Sequence, residues 1–129
     1  MVVQMPVEAE CGVRNAELLG RTKQFGLDII RLIEQLPANR ITDVLGRQLL
    51  RAGTSVGANY RSACRAKSRA DFIAKMGTVE EEADEAGYWL EMLVDANIVH
   101  RQQVEHLLEE SNAITAMTVS SIKTARRRG

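Results

Sequence analysis

The chain reads as an all-α protein, an antiparallel up-down-up-down four-helix bundle, and three observations carry that reading. Apolar residues recur at alternating steps of three and four over four separate stretches, the spacing of helices that share a core. Capping or breaking residues bound these stretches and leave only a few residues between neighbours, as antiparallel packing requires. Aromatic residues make up 4% of the chain and the two prolines stand at positions 6 and 37, whereas strands would ask for β-branched and aromatic runs. At 129 residues the chain is one domain, long enough to bury a single core without disulfide or metal staples.

Residues 1–14 show no sustained period and read as a loose N-terminal tail. Asn15 can cap a first helix over about 16–36, in which Leu18, Phe25, Ile29, Leu32 and Leu36, with Leu19, Ile30 and Ile33, form a wide apolar stripe. Pro37 ends it.

Asn39 caps a second helix over about 40–66, which has three faces. Leu45, Leu49, Ala52, Val56 and Ala63 form the core stripe, Gly46, Gly53 and Gly57 align beside it, and Arg47, Arg51, Arg61 and Arg65 make a basic stripe beyond. Each glycine inside a helix costs about 1 kcal/mol relative to alanine, so close approach of another backbone is expected in return, either within the bundle or at a subunit contact.

The third helix, about 69–97, organises the rest. Phe72, Met76, Val79, Ala83, Ala86, Leu90, Leu93 and Asn97 fall on one seam, Ser68 is the N-cap, Asp71 stands where a capping carboxylate belongs, and Asn97 marks the end. The fourth helix, about 101–125, has a more polar seam of Val104, Leu107, Leu108, Ser111, Ile114, Thr115, Thr118 and Ile122. A basic tail, 126–129, follows it with Arg126, Arg127 and Arg128.

Seventeen basic residues balance seventeen acidic ones, but the charges are segregated. From Arg47 to Lys75 seven bases stand against Asp71 alone; from Met76 to Val99 there are seven acids and no base. Cys11 and Cys64 form neither a metal-ligand spacing nor a disulfide framework, which points to a reduced, cytoplasmic setting. The start of the chain lacks the basic n-region of a signal peptide, and no apolar run is long enough to suggest a membrane partner.

The run from Gln48 to Asn59, QLLRAGTSVGAN, with SRADF at Ser68 to Phe72 and YWLEML at Tyr88 to Leu93, resembles a four-helix bundle family. This family includes proteins encoded in intervening sequences of bacterial 23S rRNA genes. The resemblance covers about residues 20–100. It implies a homopentameric ring as the self-assembly and no established reaction. A related accessory protein of diversity-generating retroelements is a basic pentamer that engages reverse transcriptase and nucleic acid, which implies RNA or DNA and a partner protein as possible associates. Where many members continue with a hydrophobic residue and Ala-Glu-Gly, this chain has Tyr60-Arg61-Ser62-Ala63, so no role tied to that glutamate transfers.

Candidate chemistry is sparse. A carboxylate-bridged metal pair needs inward Glu and Glu-x-x-His, but Asn97 and Gln103 precede His100 and His106 at that spacing. Neither metal, cofactor nor catalytic residue is assigned. Cys64 has bases nearby but no His on its segment, and the glycines lie within a helix rather than in a phosphate loop. The basic segment admits two readings: Arg47, Arg51, Arg61 and Arg65 pair with helix 3 acids of the same or a neighbouring subunit, or with Lys67, Arg69 and the arginine tail they contact phosphates. Tyr88, Trp89 and Met92 lie off the seam and, with Gly53 and Gly57, are the expected oligomer interface.

Overall fold

The computed structural model describes residues 5–128, with side chains from residue 16 onward. It consists of α1 (Met5–Glu34), α2 (Arg40–Cys64), α3 (Arg69–Asp95) and α4 (Arg101–Arg128). Consecutive helices pack side by side, and α1 meets α4 over a smaller area, linked there by Arg21 and Glu110 at 2.7 Å.

The first helix starts well before Asn15, and part of the expected tail is therefore helical. Pro6 stands in its first turn, where a missing N–H has no helical acceptor to lose. Residues 1–4 of that tail lie outside the described residues. At its other end α1 tightens, with Gln35 and Leu36 donating to the carbonyls of Leu32 and Ile33, before Pro37 stops the helix.

Two of the three expected N-caps form, whereas Asn15 lies within α1. Asn39 Oδ1 accepts the Thr42 amide at 2.9 Å, and Ser68 Oγ accepts the Asp71 amide at 3.1 Å. Asp71 in turn accepts the Lys67 amide, one residue before the position a capping box would use.

The seven apolar seam residues of α3 are all buried, but Asn97 is not an eighth. It is exposed, at φ 60, with its amide on the Val94 carbonyl and the Ile98 amide on the Leu93 carbonyl. This is a Schellman stop, in which asparagine accepts the left-handed backbone that most side chains resist.

Helix α4 starts where Gln103 Oε1 accepts the His100 amide at 2.8 Å, and it runs through the expected basic tail as far as Arg128. Its polar seam is nonetheless deep: Ser111 and Thr118 are buried, their hydroxyls donating to Leu108 and Thr115 carbonyls of the same helix.

The glycines of α2 bring it close to α1 within the chain. A methyl on Gly53 would run into the Ile29 side chain, and one on Gly57 would lie 3.3 Å from the Thr22 carbonyl group. Gly26 of α1 reciprocates, since a methyl there would lie 3.5 Å from the Gly53 carbonyl oxygen. The wide stripe of α1 divides accordingly, with Phe25, Ile29 and Leu32 buried and Ile30 exposed. Ile30 is thus not a core residue.

Candidate nucleic-acid interface

Because α2 and α4 run the same way, their C-termini lie at one end of the bundle with the start of α3. Arg69 ties these parts together: its Nη1 donates to the Ala125 carbonyl at 3.4 Å, so Arg126, Arg127 and Arg128 follow directly beside it. Arg61, Arg65 and Lys67 are exposed at the same end. Over residues 58–75 and 118–128 the single acid is Asp71, and Lys75 engages it at 2.8 Å. The Lys75 ammonium, then the Lys67 amide, hold the Asp71 carboxyl below its usual range.

A recess of about 270 Å³ lies between α2 and α3 near this end, lined by Ala58, Arg61, Ser62, Arg65 and Lys75. Among the described residues, Arg61 and Arg65 make no ion pair, so their guanidinium groups keep their donors for a ligand. Two arginines and a lysine around a small hydroxyl-lined depression suit a phosphate group chemically.

The remaining members of the basic stripe have other settings. Arg51 is engaged within the chain, with Nη1 3.3 Å from Glu82 and Nη2 on Glu85. Arg47 is exposed farther up α2, about 21 Å along the axis from Arg61. The tertiary fold therefore splits a stripe that is continuous in sequence.

The expected interface residues also separate. Trp89 is half-buried against the core, its Nε1 donating to Glu85 Oε2 at 3.0 Å, and Met92 is half-buried one turn on. Hydrogen bonds from Trp89 and Arg51 hold the Glu85 carboxyl below its usual range despite partial desolvation. Tyr88 stands edge-on to Trp89 with ring centres 5.0 Å apart, and 53% of it is exposed. Gly53 is buried under Ile29, whereas Gly57 is half-buried and forms part of the floor of an open groove between α1 and α2.

That groove, about 440 Å³, was not legible as a site in the sequence. Leu19 and Ile30, which the periodicity assigns to the core, line it together with Leu27 and Gly26. The excess width of the α1 stripe was the available signal. Cys64 is buried, His100 and His106 are exposed, and no group of His, Cys, Asp and Glu able to hold a metal ion occurs among the described residues.

A search of curated proteins finds no match. The chain is similar to a crystal structure described as a protein with unknown function from the S23 ribosomal protein family of Bacteroides thetaiotaomicron. The two are 38% identical over 81% of this chain and 97% of the other, with a TM-score of 0.76. The model of the 23S rRNA-intervening sequence protein family matches residues 14–120. With its four-helix architecture, and with a match over most of its length, the chain belongs to the 23S rRNA-intervening sequence protein family.

Proposed function

We propose that this protein is a non-enzymatic homo-oligomer, a five-membered ring by family resemblance, that holds nucleic acid by its phosphates. The observation that carries the reading is the convergence of Arg61, Arg65, Lys67 and Arg69 with the arginine end of α4, around a recess lined by Arg61, Arg65 and Lys75. Repetition around a ring multiplies this patch into an extended basic surface. We place the protein in the cytoplasm, with Cys64 a reduced, buried thiol.

Phosphate contacts release counterions, so affinity for duplex DNA falls with salt at a log-log slope of about 0.9 per neutralised phosphate. Tyr60 and Phe72, the aromatic residues within the basic segment, are buried, so base stacking contributes little and sequence preference is weak. Fluorescence anisotropy with labelled DNA and RNA across a salt series tests this. Arg61→Ala with Arg65→Ala weakens binding and lowers the slope by about one unit per lost contact. Unchanged affinity in a variant whose oligomer has come apart assigns these arginines to the subunit contact and removes the nucleic-acid reading.

The alternative is a protein scaffold or accessory subunit with no nucleic-acid binding. The groove between α1 and α2, with Leu27, Ile30 and Leu50 exposed beside it, favours that reading.

A further inference from the structure

The outward face of α3 and the groove between α1 and α2 are matched in three respects. Glu81, Asp84, Tyr88, Glu91 and Asp95 stand at steps of three and four along the outermost line of α3, and all five are exposed. No base occurs anywhere between Met76 and Val99. A ridge of four carboxylates with one aromatic ring at its centre results.

The groove has the complementary chemistry. Leu27 and Ile30 are 37% and 36% exposed on its α1 side, Leu50 is 37% exposed on α2 farther along, and Lys23 and Arg61 flank the apolar floor. Glu34 and Asp43 belong to the far end, near the α1–α2 turn, with Arg47 one turn along α2 from Asp43. Gly26 and Gly57 keep the floor open, and about 440 Å³ is room for an aromatic side chain with its neighbours. The lengths are compatible as well, since the α1 side of the groove, Leu19 to Ile30, covers about 17 Å of helix and Glu81 to Asp95 covers about 21 Å.

A single copy cannot bring these faces together. α3 packs on α2 and α4 rather than on α1, and its acidic ridge points away from the core. We infer that the α1–α2 groove of one copy receives the Tyr88 ridge of α3 from a second copy, a head-to-tail contact between two different faces. The inference rests on the oligomeric reading above and specifies which surfaces meet. Tyr88 fills the apolar recess, and the flanking carboxylates meet Lys23 on its α1 rim, which leaves Arg61 to the basic end of the bundle. Because each copy presents both faces, the contact repeats until it closes into a ring.

Two variants of the full chain separate the faces. Ile30→Glu places a charge in the groove and keeps the ridge, whereas Tyr88→Glu spoils the ridge and keeps the groove. Both positions are exposed in the protomer, and circular dichroism verifies that each variant remains folded. Each alone is expected to be monomeric by size-exclusion chromatography with light scattering. An equimolar mixture is expected to give a one-to-one dimer and nothing larger, since only one intact groove and one intact ridge remain. A mixture that stays monomeric, or variants that assemble like the parent chain, overturns this pairing and leaves the oligomer itself standing. A parent chain that is monomeric at micromolar concentration overturns both.

Charge reversal supplies an independent check that leaves the apolar residues untouched. A Lys23→Glu copy and an Asp84→Lys, Glu91→Lys copy are each expected to self-assemble less than the parent chain and to associate when mixed, as alternating copies that cannot close a five-membered ring. Failure of the mixture to assemble while the parent does so overturns the pairing.

Discussion

The Arg51–Glu85–Trp89 cluster shows how one side chain's role is set by what reaches it across the bundle. Arg51 and Trp89 both bond Glu85, so its carboxylate is favoured in the folded state over an unfolded value of about 4.3. A depressed native pKa means that the stabilisation is complete above the unfolded value. It is lost as pH falls from there through the native value. Trp89 is the single tryptophan and thus an optical probe of this event. Its emission is expected to titrate with a midpoint below the ordinary carboxylate range, to move upward in Arg51→Ala and to lose the transition in Glu85→Gln. A midpoint at or above the ordinary value contradicts the assigned hydrogen bonds. The same sign applies to Asp71, held by Lys75 and the Lys67 amide.

Among the helices, the glycines are not equivalent, because what surrounds each Cα differs. At Gly53 a methyl would overlap the side chain of Ile29, which is fully buried and has little room to turn. Gly77 has nothing within 4 Å of the same position. Gly77→Ala therefore gains helix propensity alone and is expected to stabilise by about 0.5–1 kcal/mol. Gly53→Ala gains the same propensity but overpacks the α1–α2 contact at about 1–3 kcal/mol, for a net loss. Urea unfolding of the two variants checks the opposite signs, and a stabilised Gly53→Ala would show that Ile29 relaxes freely.

For the whole molecule, the open features among the described residues are exposed apolar surface and segregated charge. Leu27, Ile30, Leu50 and Tyr88 are each more than a third exposed, and together they suggest a surface that assembly covers. Light scattering is expected to give a mass near five times the 14.3 kDa protomer. Melting temperature is then expected to rise with protein concentration, because association stabilises the folded copies by mass action. A concentration-independent melt together with a protomer-sized mass contradicts the oligomeric reading.

Local patterning set the four helices, the N-caps of α2 and α3 and the main seam, but not the start of α1. Period and capping are local properties: Phe72 to Leu93 are buried at the expected steps, Asn39 and Ser68 accept the expected amides, and Pro37 stops α1. The candidate site was legible as a set of bases, but not as a place. Packing engaged Arg51 with Glu82 and Glu85, left Arg61 and Arg65 without an ion pair among the described residues, and put Arg126 to Arg128 next to Arg69. Ile30 and Asn97 mark the same boundary. Helical spacing states which way a side chain points from its own axis, whereas its fate depends on whether another helix stands there. The groove beside Gly26 and Gly57 is a consequence of how closely two axes approach, and only the packed structure fixes that distance.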